Sequence, residues 1–309
     1  MAFDSTLHGF KLILFMILRC YIRTHKKKPA VEKYFTITQM ISSSRILSWL
    51  VYKLSRIRIR IIKNTLIEWF IHRYKIDLGE FQRDATKDYS TFNDFFTREI
   101  KPELRPVMGS KHEVVSPVDG IVVAFGRIHG DSIVQLKNSY YSLKQLVNEN
   151  EELTRDYLDG YFVTIYLAPY NYHRVHMPLD GTLKNSELIP GKIFSVNQDS
   201  VKKIPNLYIK NQRLVNVFNN QISPFMLILV AALNVSSITT AWRQSRLENK
   251  EKLLMLSKGE EMGRFNLGST ILLLFPETSK LQWFDTLKVG GNLRMGEIIA
   301  RISNNQKQT

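Results

Sequence analysis

GYFVTIYLAPYNYHRVHMPLDGTL, from Gly160 to Leu183, sets the texture of most of this chain. The β-branched and aromatic run Tyr161–Leu167 sits between Gly160 and Ala168-Pro169 and reads as a strand. Pro, Asn and Asp then impose turns before the next apolar step. The same texture recurs in EVVSPVDGIVVAFGRI (Glu113 to Ile128), STILLLFP (Ser269 to Pro276) and GEIIARI (Gly296 to Ile302). Short helical patches, Phe92–Arg98 and Ser142–Asn148, interrupt it. Residues 81–309 therefore read as a strand-rich, mainly β core within an α+β chain.

The longest uncharged stretch is Leu214 to Trp242. Asn216, Asn219, Asn220, Gln221, Ser223 and Pro224 fill its first half, and only Phe225–Leu233 is continuously apolar. A spanning helix needs about 20 apolar residues. Val235, Ile238, Thr239 and Thr240 favour strands, so buried strands with a turn at Ser223-Pro224 are expected. Leu12–Leu18, between Lys11 and Arg19, is also too short to span, and no small-residue cleavage site follows it.

Toward the amino terminus the balance changes. The chain carries 43 Lys and Arg against 28 Asp and Glu, a net charge of +15, most of it within the first 80 residues. A basic first quarter on a near-neutral body points to an anionic partner, nucleic acid or a negatively charged bilayer. Residues 1–33 form a basic leader ending in HKKKPA, and Phe35–Ile76 within residues 34–80 is helical in pattern. One stripe joins Ile46, Leu47, Leu50 and Leu54; a second joins Ile57, Ile61, Leu66, Trp69 and Phe70, with Arg56, Arg60, Lys63 and Arg73 around them. The alternation RIRIRI at Arg56–Ile61 also admits a strand. Such helices lie in a membrane interface or form a hairpin on the protein's own core. Cys20 is the single cysteine, which excludes an intrachain disulfide and a Cys-based zinc site.

Four segments join reactive groups to tight turns. In SPVDG (Ser116–Gly120), Asp119 is first of all a turn residue. In YHRVHMP (Tyr172–Pro178), His173 and His176 lack the partners of a zinc site but suit acid–base work, with a surface turn as the plain alternative. GKIFSVN (Gly191–Asn197) and KIPNLYIKNQRLV (Lys203–Val215) read as strand, turn and strand. In KGEEMGRFNLGST (Lys258–Thr270), LGST is neither a nucleophile elbow nor a phosphate loop; alone, it is a loop leading into ILLLF.

Taken together and in order, these segments resemble the bacterial, membrane-associated phosphatidylserine decarboxylases. The likeness starts with FNDFFTREIKPELRP (Phe92–Pro106), continues through SPVDG, YHRVHMP with Gly181, FSVN and PNL, and ends at GRFNLGST. It extends from about residue 35 to about 303 and excludes the leader. Ala231 and Ser236 replace glycines usual in the family, and the segment between Trp242 and Lys258 is shorter than usual.

The resemblance implies a proenzyme that cuts its own Gly268–Ser269 bond into chains 1–268 and 269–309, which stay together as a heterodimer. It implies that Asp119, His176 and Ser269 form the processing triad and that Ser269 becomes a covalent pyruvoyl group, with no metal and no pyridoxal phosphate. That group would form a Schiff base with phosphatidylserine, release CO2 and yield phosphatidylethanolamine, with His173 handling substrate and protons. It further implies peripheral attachment to the cytoplasmic side of the cell membrane, with Trp49 and Trp69 at the interface and no nucleic acid as partner. A homo-oligomer is compatible with it. The competing expectations are a Ser/His/Asp hydrolase that remains uncut and a non-catalytic lipid-binding protein on the same scaffold.

Overall fold

In a computed structural model of the chain, residues 45–232, 238–242, 254–266 and 269–303 are described. The basic leader with Cys20, Ser236, residues 243–253 of the shortened segment, and Gly268 lie outside them. Two helices come first, α1 (Arg45–Ser55) and α2 (Arg60–Tyr74), followed by the short α3 (Phe92–Phe96). The core begins with β1 (Glu113–Val115), β2 (Gly120–Arg127), β3 (Ser132–Leu136) and β4 (Ser139–Ser142). After α4 (Leu143–Leu146) and α5 (Glu151–Tyr157) come β5 (Tyr161–Leu167), β6 (Arg174–His176) and β7 (Gly181–Ile189). Next are α6 (Gln198–Lys203), α7 (Leu207–Lys210), β8 (Arg213–Asn219), β9 (Phe225–Ala231) and β10 (Ile238–Thr240). The chain closes with β11 (Met255–Leu256), β12 (Glu261–Phe265), β13 (Ser269–Phe275), β14 (Leu281–Trp283), β15 (Asn292–Leu293) and β16 (Ile298–Ile302).

The expected α+β, mainly β architecture is present. An eight-stranded antiparallel sheet has the order β11-β7-β8-β9-β13-β5-β2-β15, so β13 sits near its middle. Ile271, Leu273 and Phe275 pack on one face with Val163, Ile165, Leu227 and Leu229. Two three-stranded sheets, β1-β16-β14 and β10-β12-β6, contribute Val114, Val175, Met262 and Ile299 to that layer. Leu272 and Leu274 point the other way, onto a layer of Ile133, Tyr141, Leu146, Tyr157, Leu207 and Tyr208. Both faces of β9 and β13 are therefore buried, so FMLILVA and ILLLF read as unbroken apolar runs where a half-exposed strand would alternate. No helix among the described residues is long and apolar enough to cross a membrane.

The helical patches form as expected, with Ser142 capping α4 through Gln145 N–H at 3.1 Å. Asn220 organises the expected turn before Pro224 by accepting from Ile222 N–H at 2.6 Å. GKIFSVN and the segment after it differ from their strand reading, and GKIFSVN contributes only an isolated bridge from Lys192 to Asn211. Asn197 caps α6 through Ser200 N–H at 2.9 Å, and α7 follows before β8 starts. An Asn ahead of Gln-Asp-Ser is an N-cap signature that outweighs the apolar alternation nearby.

The amino-terminal stripes are also redrawn. RIRIRI forms no strand, since the chain leaves α1 at Ser55 and begins α2 at Arg60. Leu66, Ile67 and Phe70 are buried, but Leu50 and Ile61 are exposed. Trp69 is partly buried against the aromatic cluster around Phe70, whereas Trp49 is exposed. Lys63, expected on the outer circumference, is buried, its Nζ donating to Asn64 Oδ1 at 2.8 Å.

Candidate active site

Ser269 opens β13 and is paired with Leu167 on one side and Ala231 on the other. It is fully buried, and its Oγ has no hydrogen-bond partner among the described residues. Burying a hydroxyl without a partner costs about 1–3 kcal/mol, so such a group is a marked exception in a native core. The chain just before it is fixed at several points. Phe265 N–H donates to His173 O at 3.0 Å. Asn266 Oδ1 accepts from Asn93 Nδ2 at 3.0 Å, while its Nδ2 donates to Thr239 Oγ1 at 3.1 Å.

The SPVDG bend brings Asp119 into the same region. Ser116 Oγ donates to Val118 O at 2.7 Å inside the bend, and Pro117 O accepts from His176 N–H at 2.8 Å. Gly120 is required by close approach, because a Cβ there would lie 2.6 Å from Ile165 Cγ2 and 2.7 Å from Tyr166 O. Gly120 does not take a positive φ. The Asp119 carboxylate is held by Arg105, with Nε at 3.0 and 3.2 Å and Nη2 at 2.7 Å, and by Met295 N–H at 2.8 Å. Both charges are buried, and Arg105 also reaches Glu80 at 3.4 Å, so removing the arginine, which leaves the Asp119 carboxylate without a counter-charge, should cost about 3–5 kcal/mol.

The two histidines have different surroundings. His176 ends β6 with Nδ1 2.8 Å from Gly259 O and Nε2 3.0 Å from Tyr172 Oη. Burial lowers its pKa, partly offset by the Gly259 bond and by Glu261 and Asp119. His173 is fully buried, donates from Nε2 to Ala168 O at 3.1 Å and leaves Nδ1 without a partner among the described residues. Its ring stacks on Phe96, centroids 4.1 Å apart. Burial, followed by the nearby Arg98 cation, pushes its pKa down to about 3. Ala168 follows Leu167, the register partner of Ser269, which places His173 beside the head of β13.

Asp119 and His173 thus lie beside the end of β5 that pairs with Ser269, and His176 on β6 is near enough to Asp119 to feel its charge, around bonds the sequence did not reveal. The Asp119 carboxylate is bonded to Arg105 and Met295, not to His176, and His176 is not bonded to Ser269. Residues assigned no role in the sequence do the holding. Arg105 grips Asp119, Phe96 stacks on His173, Asn93 reaches Asn266, and Arg174 joins Glu99 (2.7 Å) to Glu261 (2.6 Å). Most lie in FNDFFTREIKPELRP or YHRVHMP, so their only signal was membership of those blocks.

Comparison with known proteins gives a consistent picture. Residues 92–301 match the family model described as phosphatidylserine decarboxylase, and residues 44–75 match a further model described as PSD. A phosphatidylserine decarboxylase proenzyme of Idiomarina loihiensis is 40% identical over 289 residues, covering 89% of this chain and 98% of the relative. The proenzyme of Saccharophagus degradans is 38% identical, covering 88% of this chain and 98% of the relative. That of Coxiella burnetii is 39% identical, covering 84% and 94%.

Proposed function

Because the chain belongs to the phosphatidylserine decarboxylase family, we propose that it is a self-processing, pyruvoyl-dependent enzyme converting phosphatidylserine to phosphatidylethanolamine. The observation that carries this reading is Ser269. A fully buried hydroxyl without a partner among the described residues heads a central strand, just after a segment tied down at Phe265 and Asn266.

In processing, Ser269 Oγ gives its proton to a base and attacks the Gly268 carbonyl carbon, so an ester replaces the amide. Loss of the Ser269 α-proton then expels the Gly268 carboxylate, and hydrolysis of the resulting dehydroalanine leaves the pyruvoyl group and ammonia. Burial keeps His176 neutral and able to accept the first proton. The new chain end fits its surroundings, because Ala231 opposite is small and His173 Nδ1 is free of other bonds among the described residues. A pyruvoyl group at Ser269 supplies the electron sink for the pair released with CO2. His173, neutral and held flat on Phe96, is suited to pass a proton at Nδ1.

The products of the cut stay assembled. The 269–309 chain keeps β13 between β5 and β9, and β16 between β1 and β14. Met295 N–H on Asp119 and the Arg301–Glu113 ion pair add cross-chain bonds.

Peripheral docking on an anionic membrane is supported by the bend between α1 and α2. Ile59 and Ile61 are 60% and 72% exposed there, beside exposed Lys53, Arg58 and Arg60, and Trp49 is exposed nearby. Cations near an anionic leaflet contribute about 1 kcal/mol each, and exposed apolar side chains add burial in the interface. A Ser/His/Asp hydrolase is told apart from this reading by its chain, which would stay uncut.

Denaturing electrophoresis with intact mass measurement is the test. The mature protein should separate into two chains, the smaller blocked at its amino terminus and trapped by borohydride or hydroxylamine. A single uncut polypeptide carrying an ordinary serine would refute the proposal.

A further inference from the structure

The bond to be cut lies between two anchors. On its far side Ser269 is locked into β13 by ladders to β5 and β9. On its near side β12 ends at Phe265, which pairs with Ile238 and donates its N–H to His173 O at 3.0 Å. Leu267 and Gly268 alone link Asn266 to Ser269, so a shift of either anchor moves the Gly268 carbonyl relative to the hydroxyl that attacks it. Attack requires the reacting atoms about 3–3.5 Å apart and aligned, and a 1 Å misplacement can cost about a hundredfold in rate.

Asn266, the first residue past β12, is buried and gripped through its side chain from two directions. Its Oδ1 accepts from Asn93 Nδ2 at 3.0 Å, and its Nδ2 donates to Thr239 Oγ1 at 3.1 Å. Asn93 reaches it across 173 residues of chain from α3, a short helix that is itself firmly held. Thr91 Oγ1 accepts from Asp94 N–H at 3.0 Å, Arg83 clasps the Asp94 carboxylate at 2.8 and 2.9 Å, and Phe95 and Phe96 are buried. Asn93 and Phe96 are three residues apart and so share a side of α3. One helix therefore touches both the segment ahead of the cut, through Asn93, and the ring of His173, through Phe96. Asn93 Oδ1 is enclosed with no partner among the described residues, a cost that an asparagine turned to solvent would not bear.

We propose that Asn93 is a positioning residue for self-processing, acting through Asn266 to hold the chain ahead of Gly268 in register with the Ser269 hydroxyl. This rests on the self-processing reading above and extends it to a group outside the reacting set. An amide does not titrate, so Asn93 governs the rate of splitting and not the pH at which splitting starts or stops.

The experiment uses the full chain made by cell-free translation, with splitting followed by electrophoresis across a pH series. The wild type should split and Ser269→Ala should not. Asn93→Ala should split about tenfold or more slowly, with both limbs of its pH profile unmoved. Asn266→Ala should also be slow, and the double variant no slower than Asn266→Ala alone, because the two residues act through one bond. Splitting of Asn93→Ala at the wild-type rate, a shifted profile, or losses that multiply in the double variant would each overturn the proposal. Hydrogen exchange in uncut chains separates positioning from general loosening. Adding Asn93→Ala to Ser269→Ala should speed exchange in the segment spanning residues 266–270 and leave β5 and β9 as they were; faster exchange throughout the sheet would overturn it. Should Asn93→Ala fail to fold, Asn266→Ala tests the same bond from its other end, and wild-type splitting there overturns the assignment. A wild-type chain that never splits removes the self-processing reading and this proposal with it, whereas a wild type that splits alongside an equally fast Asn93→Ala removes the proposal alone.

Discussion

The α1–α2 segment and the centre of the large sheet are built from similar apolar residues put to opposite uses. Ile61 is 72% exposed, whereas Ile271 in β13 is fully buried. Arg58 and Arg60 face solvent, whereas Arg105 is buried against Asp119 and Arg98 lies sandwiched between Phe81 and Phe95. In the sheet, apolar side chains hold the fold and enclose Ser269; at the bend between α1 and α2 they leave apolar area exposed, which suits an external surface. The two regions are joined through aromatic rings. Phe70 of α2 meets Phe96 at 6.0 Å, and Phe96 stacks on His173 at 4.1 Å.

The comparison can be tested by perturbing each side. Ser269→Ala should give the largest effect, abolishing splitting, ketone trapping and CO2 release; a variant that still splits would detach the sheet centre from the chemistry. Leu273→Ala should lower stability by about 2–5 kcal/mol in chemical denaturation, because it empties a site covered on all sides. Ile61→Ala should change stability by no more than about 0.5 kcal/mol, and equal losses at the two positions would erase the contrast. His173→Asn should leave splitting largely intact while slowing CO2 release by about a hundredfold or more. Unaltered turnover would remove His173 from the mechanism. Ile59→Ser with Ile61→Ser should weaken flotation with anionic liposomes about tenfold or more, with the melting temperature nearly unchanged. Undiminished binding would reassign the bend.

A further effect is a pH slope. The unfolded chain binds a proton at His173 near the ordinary value of 6.5, and the folded chain only near 3. Unfolding therefore takes up a proton between those values. This contribution is fully present above pH 6.5 and is lost as pH falls toward about 3. The lowered pKa of His176 acts in the same direction. His173→Asn should flatten the slope of stability against pH in that window, and an unchanged slope would place the acid sensitivity elsewhere.

Much of the scaffold could be read directly. Apolar runs bounded by Gly and Pro became β5, β9 and β13, and the Asn- and Ser-rich break in the uncharged stretch became the turn between β8 and β9. Errors arose where the local pattern was ambiguous. Lys203–Val215 alternates like a strand in part, yet the cap at Asn197 and packing of Leu207 and Tyr208 under the sheet favoured helices ahead of β8. The helical stripe was misplaced because periodicity states that a face is apolar, not which face meets a neighbour. Phe92, Phe95 and Phe96 selected the side bearing Phe70 and left Ile61 outside.

By itself the amino-acid order determined the fold class, the neighbourhood of Ser269 and the blocks containing Asp119, His173 and His176, because strand propensity, turn chemistry and motif composition are local or near-local properties. Only the tertiary structure decided which groups bond to them. Arg105 takes Asp119 from 14 residues away, Met295 from 176, and Gly259 takes His176 from 83. A hydrogen bond depends on distance and direction in space, and the sheet's register sets both across separations that no pattern along the chain records.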